Sequence, residues 1–427
     1  MMKATHRLLL SVMAALAGSL PASAQFSAEK FQAEPGLFFG NHHVYVFKAT
    51  ADTPAPEGYE PFYISHIGRH GSRRNTGSGN HERLLRILEE AEELDLLTAA
   101  GDTLLAHVYR HRQLSDEMYG MLSKRGAREH REIAARMFSR FPAVFGNEGR
   151  KEVFAASSQS ERCLISMACF VESLKGMDPL LHFDIRTGPR YMKYIMKATP
   201  ELNEEIRRAI DPAVSAMRRE GIDRDRILRV LFTDVETAKI CCKAGNIISD
   251  IYSLCNYEEC LDLGHLRTSD LLTFDELYTL SRAASNRLYT LMCNSVEYGD
   301  RRIRSADDLL RDIVTRADAA LAPASRRAAD LRFSHDYALL PLLSLIGTEG
   351  MDVRTTQQEA DRYWCAGEMM PMAANLQMIF YRHPGSDTVL VKLLHNERET
   401  CIPSLDTDIG PYYRWDRLRT YLEGKYD

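Results

Sequence analysis

Residues 61–73 read Pro-Phe-Tyr-Ile-Ser-His-Ile-Gly-Arg-His-Gly-Ser-Arg. The first seven, PFYISHI, form a short apolar run of strand-forming residues. The run ends in Arg69-His70-Gly71-Ser72-Arg73. Residues 81–98 then place Leu84, Leu85, Ile87, Leu88, Ala91 and Leu94 on one helical face. Strand, polar glycine-containing turn and amphipathic helix make up the unit of an α/β layer, and ligands bind at such carboxyl-end turns. Two guanidiniums and an imidazole within five residues repel one another unless an anion sits among them. Arginine suits phosphate because its planar fork donates paired hydrogen bonds and stays charged. Gly71 is expected to let backbone approach that anion closely.

The same pattern recurs outward from this segment. Residues 153–156 read as a strand, followed by Ser157-Ser158-Gln159-Ser160-Glu161-Arg162. A helix follows, with Leu164, Ile165, Met167, Ala168, Phe170, Val171 and Leu174 as its buried side; by itself Arg162 reads as a surface residue of its first turn, and it is the candidate for a third guanidinium near a strand end. Residues 182–186 read as another strand and 127–139 as a further helix. Residues 331–334 form a strand candidate, followed by His335-Asp336 and an apolar helix over 337–346. Residues 376–381 and 389–394 alternate around Pro384-Gly385-Ser386-Asp387, which predicts a hairpin. Residues 196–325 are rich in charge and helix formers, with little strand signal, and read as a mostly helical insertion. The α/β part is therefore expected over 25–195 plus 326–427.

Composition bounds the class. The 427 residues carry 54 Lys plus Arg against 59 Asp plus Glu, a net charge of −5, with 45% hydrophobic and 26% charged residues. These are values of an ordinary folded chain, and the sign of the charge argues against a nucleic-acid partner. Residues 1–24 combine a basic start (Lys3, His6, Arg7), an apolar run from Leu8 to Leu20 and Ala22-Ser23-Ala24, the pattern of a cleavable signal peptide. An exported, periplasmic or secreted protein is expected, without stable membrane insertion. Nine cysteines, from Cys163 to Cys401, show no CxxC and no paired metal spacing, so no metal site is expected. Vicinal Cys241 and Cys242 read as packed thiols. There is no Cys-x5-Arg cradle, no GxxxxGK[ST] and no HExxH.

Together these motifs resemble the histidine phosphatase superfamily, in its acid phosphatase and phytase branch. RHGSR is similar to the signature RHGxRxP, with Asn75 where the proline stands. His335-Asp336 resembles the distal His-Asp motif, and Leu122-Ser123-Lys124-Arg125-Gly126 resembles the Leu-Thr-x-x-Gly segment. Residues 157–166 resemble the stretch that delivers a further phosphate-binding arginine. Residues 376–403 resemble the C-terminal hairpin of multiple inositol polyphosphate phosphatases, although those usually carry His-Ala-Glu where this chain has His335-Asp336-Tyr337.

The resemblance implies a three-layer α/β/α, phosphoglycerate-mutase-like core with a helical cap. It implies that His70 is the nucleophile, that Arg69, Arg73, Arg162 and His335 hold the phosphoryl oxygens, and that Asp336 protonates the leaving alkoxide. Arg74 is a candidate for a second phosphate, and Lys124 and Arg125 are weaker ones. No cofactor is implied. The partner is a small phosphorylated molecule: phytate or lower inositol phosphates, or, for a broad-specificity acid phosphatase, sugar phosphates and similar monoesters. A phosphotransfer mutase fits export poorly. A non-catalytic phosphate-binding protein would be expected to lack His70 or Asp336. Because Asp336 must be protonated to act, an acid to mildly acid optimum is expected.

Overall fold

The computed structural model describes residues 27–197 and 199–426; the expected signal peptide lies outside them. Eight strands form one sheet: β1 (Glu60–Arg69), β2 (Glu152–Ser157), β3 (His182–Arg186), β4 (Arg327–Ser334), β5 (Asn375–His383), β6 (Ser386–His395), β7 (Arg398–Thr400) and β8 (Tyr412–Arg414). Their order is β3-β2-β4-β1-β5-β6-β7, with β8 also on β6. β3, β2, β4 and β1 run parallel, and the rest add antiparallel.

Both faces of the sheet are covered, as a parallel sheet requires. Along β5, Leu376, Met378 and Phe380 enter one core, with Ile313 and Val314 of the helix Asp307–Leu321, Leu339 and Leu343 of Asp336–Ile346, and Leu418 of Trp415–Tyr426. The alternate residues Ile379 and Tyr381 enter the other, with Ile133 and Met137 of Lys124–Arg140 and Phe170 and Leu174 of Glu161–Met177. The period of two along the strand therefore separates two layers of helices, giving the expected α/β/α architecture. On Glu161–Met177, Ile165, at 37% exposure, and Ala168 face solvent, which corrects their place on the expected buried side.

A third core lies in the helical part. Leu84 and Leu88 of Gly79–Glu93 and Leu104 and Val108 of Ala99–Ser115 pack with Ile227, Ile251 and Leu280, and with Phe31 and Phe38 near the N-terminus. The helix Phe274–Met292 enters this core at Leu277 and Leu280 and the first core at Tyr289 and Met292, so it ties the helical part to the sheet. All nine cysteines are unpaired; Cys242 is buried as expected, but Cys241, just past the helix Val235–Ile240, is exposed. Among the described residues no helix is long and apolar enough to cross a membrane.

Candidate active site

The parallel register brings three strand ends together. Arg69 lies opposite Ser334 across β1 and β4, and Ser157 opposite Phe333 across β2 and β4. The next residue of each strand, His70, His335 and Ser158, therefore leaves the sheet at one place. Backbone bonds carry the alignment one step further: His70 N donates to Ser334 O at 2.9 Å and Ser158 N to Phe333 O at 3.0 Å. The rings of His70 and His335 meet edge to face with centroids 5.4 Å apart.

His70 Nδ1 lies 2.9 Å from Gly71 O. A carbonyl only accepts, so Nδ1 carries the proton and Nε2 keeps its lone pair. Nε2 has no protein partner among the described residues. Burial, reinforced by Arg69, Arg73, His335 and Arg162, holds the ring well below its ordinary pKa, so it is neutral. A neutral, oriented imidazole beside three guanidiniums has the form of a nucleophile for a phosphoryl centre.

Each arginine is held through its terminal Nη atoms. Arg69 Nη1 donates to the carbonyls of Asn41, Met370 (2.9 Å) and Pro371 (3.1 Å), and Nη2 pairs with Asp336. Arg73 Nη1 donates to Arg74 O at 2.9 Å and Tyr257 Oη at 3.1 Å. Arg162 Nη2 lies 3.2 Å from His335 Nδ1. The Nε of all three is buried without a hydrogen-bond partner among the described residues. Three buried N–H donors without acceptors fit an anionic ligand that brings its own oxygens.

His335 is committed differently from the expectation. Arginine can only donate, so His335 Nδ1 accepts from Arg162, and Nε2–H donates to Ser158 Oγ at 3.1 Å. Here its ring braces Arg162, and bonding to a phosphoryl oxygen requires exchange of the Ser158 bond. Asp336 accepts from Asn41 Nδ2 at 2.8 Å and, at the first position of its helix, from Tyr337 N at 2.9 Å. Burial alone would raise its pKa; Arg69, His335, Asn41 and Arg73 outweigh that and hold the carboxyl below its usual range.

The loop itself is fastened from beneath. Ser72 N and Oγ both donate to the buried Glu129 carboxylate, at 2.7 and 2.6 Å, and Ser72 O accepts from Ser123 N and Oγ. Burial raises the Glu129 pKa, while Ser72 and the Tyr45 N–H counter it. Gly71 is needed for this docking: a Cβ there would meet Gly126 O at 2.6 Å. Gly126 follows the N-cap Ser123, which is why residues 122–126 accompany the signature. Asn75 is buried, with Nδ2 3.4 Å from His81 Nε2.

From Arg73, Asn41 and His42 a cleft of about 690 Å³ runs under the helical part. Arg83, Arg207, Arg218 and Arg287 also line it. Arg83 is paired with Asp250 and Arg287 with Asp211, while Arg218 Nε is buried and unpartnered.

No family model matches the chain. The multiple inositol polyphosphate phosphatase 1 of Gallus gallus is 24% identical over 398 residues, covering 89% of this chain and 84% of that protein. The Homo sapiens protein of the same name is 24% identical over 312 residues, 66% of this chain and 62% of its own length. The chain is a relative of the multiple inositol polyphosphate phosphatases. Its fold is that of the Bifidobacterium longum multiple inositol polyphosphate phosphatase, solved in complex with inositol hexasulfate, with a TM-score of 0.74 at 18% identity over 90% of this chain and 97% of that one. The relatives are phosphoric monoester hydrolases by name, the class that the motifs imply.

Of the residues singled out in the sequence, Arg69, His70, Arg73, Arg162, His335 and Asp336 converge. Arg74 does not: its Nε and Nη1 donate to Leu114 O (2.7 Å) and Leu122 O (2.8 Å), and it lines a separate depression with Lys124. Sequence reasoning missed Asn41, His42, Glu129, Tyr257, Arg218 and Arg287. Glu129 had a signal, since it shares the buried face of its helix with Gly126, Ile133 and Met137. Asn41 and His42 interrupt an apolar N-terminal run. Tyr257 and the cleft arginines stand in the insertion without a motif.

Proposed function

We propose that the protein hydrolyses phosphomonoesters of inositol polyphosphates through a phosphohistidine on His70. One observation carries the reading: His70 presents an unprotonated Nε2 among three guanidiniums whose buried Nε–H groups lack acceptors. Nε2 attacks phosphorus and forms the N–P bond. The bond from phosphorus to the inositol oxygen breaks, and the Asp336 proton goes to that oxygen. Water then attacks the phosphohistidine and gives its proton to the Asp336 carboxylate, which releases inorganic phosphate and restores His70.

The substrate class rests on the cleft. Its volume and its arginines beyond Arg73 suit a ring bearing several phosphates, and the relatives' names and the inositol hexasulfate complex point the same way. Export belongs to this reading and is supported by the leader pattern of residues 1–24.

The test is phosphate release from phytate by the purified chain near pH 5, beside His70→Ala. Release by the first and none by the second is the expected result. Turnover of a small aryl phosphate without phytate would replace the substrate class with broad acid phosphatase activity. If neither substrate turns over, the catalytic reading falls and a phosphate-binding protein remains.

A further inference from the structure

The Tyr257 hydroxyl joins three parts of the chain far apart in sequence: the inserted helical segment, the signature loop and the N-terminal helix Pro35–His42. It lies 3.1 Å from Arg73 Nη1 and 3.1 Å from His42 Nε2. Arg73 can only donate, so the hydroxyl accepts from it and shares a further hydrogen bond with His42, whose tautomer sets the direction. Burial, reinforced by Arg73 and Arg69, pushes the His42 pKa down to about 3, so its ring is neutral. The Tyr257 ring lies under the Arg73 guanidinium at 5.4 Å and meets the His42 ring at 4.9 Å. The segment is anchored on both sides, since Cys260 Sγ donates to His42 O at 3.4 Å and Arg125 Nη1 to Glu259 O at 3.5 Å. Among the described residues every side-chain hydrogen bond of Arg73 is made through Nη1, to Tyr257 and to Arg74 O, and Nε has no partner.

We propose that Tyr257 is a positioning residue for Arg73: its hydroxyl, held in place by the bond to His42, fixes one arm of the guanidinium so that the remaining N–H groups meet the phosphoryl oxygens in one geometry. This rests on the reading of the cluster as a phosphoryl site, and it gives the inserted segment a part in the chemistry beyond lining the cleft.

Tyr257→Phe keeps the ring and removes only the hydroxyl. Calorimetric binding of inorganic phosphate should weaken roughly ten-fold and kcat on phytate should fall by a similar factor, since the hydrogen bond involves a charged group. The melting temperature should fall by only a few degrees, so that the variant stays folded in the assay. His42→Phe should act alike, and the double variant should be no worse than the stronger single one, because both act through one hydroxyl. If Tyr257→Phe binds phosphate within about two-fold of the wild type while Arg73→Ala loses about a hundred-fold or more, the proposal is overturned. A wild type that binds phosphate without turnover would remove the catalytic reading, and the Tyr257 effect on phosphate affinity would still decide this proposal. A wild type that binds no phosphate would overturn both.

Discussion

Arg69 and Asp336 are bound to each other, Nη2 to Oδ2 at 3.0 Å, with the arginine 1% exposed. In the proposed mechanism the group that gives a proton is thus held ionised by a cation that would also bind substrate. A phosphoryl dianion among Arg69, Arg73 and Arg162 neutralises those cations and adds negative charge, so binding itself raises the Asp336 pKa. Substrate arrival and protonation of the acid are then one event, and activity should rise as pH falls toward mildly acid values. Asp336→Asn should lower kcat on inositol phosphates by about 10²–10⁴-fold and act far less on 4-nitrophenyl phosphate, whose leaving group needs little protonation. Equal losses on both substrates would instead make Asp336 a group that orients Arg69.

Gly71 and Gly126 provide a second test, because their backbones touch. Gly71→Ala would push a Cβ to 2.6 Å from Gly126 O and 2.7 Å from Gly126 Cα, and neither atom is on a flexible side chain. The loop must lift, moving His70 and Arg73 off their common target. We expect about 1–3 kcal/mol of lost stability and roughly a hundred-fold loss in kcat/KM, read by denaturant unfolding and steady-state kinetics. An active, equally stable variant would contradict this docking.

Much of this site was legible in the sequence, for a physical reason. Strand, turn and helix are local patterns, and residues at the ends of neighbouring parallel strands converge whatever the fold's details. His70, Arg162, His335 and Asp336 could therefore be placed without a structure. The direction of a side chain could not. Arg74 stands next to the signature, yet its fork is spent on the carbonyls of Leu114 and Leu122. Tyr257 reaches Arg73 only because the insertion folds back over the sheet, across 184 positions of sequence. Nor could the sequence show that Gly71 lies against Gly126, 55 positions away.

The cleft arginines should separate substrates. Arg218 has a buried, unpartnered Nε on the cleft wall, away from His70's immediate neighbours. In the proposed reading it would meet a phosphate that is not being transferred. Arg218→Ala should therefore raise KM for phytate about ten-fold, leaving kcat/KM for 4-nitrophenyl phosphate within about two-fold. A uniform loss on both substrates would show that the side chain shapes the helical part instead.

The fold itself should resist acid poorly, and the sign follows from His66 and His130. Burial, reinforced by His130 and Arg332, holds His66 at about 3; burial holds His130 at about 3, against a small opposing effect of the Arg69 backbone. Both folded pKa values lie below the unfolded value of about 6.5, so between these limits the unfolded chain binds more protons and stability falls with pH. From pH 7 to pH 5 the two rings together should cost roughly 4 kcal/mol. Urea unfolding at the two pH values measures this, and His130→Leu should remove about half of the difference. A stability unchanged between them would mean that these rings gain solvent or a partner on acidification. The loss opposes the gain in Asp336 protonation, so the activity optimum should lie where the two cross, at mildly acid pH, and His130→Leu should extend activity to lower pH without altering the rate near neutrality.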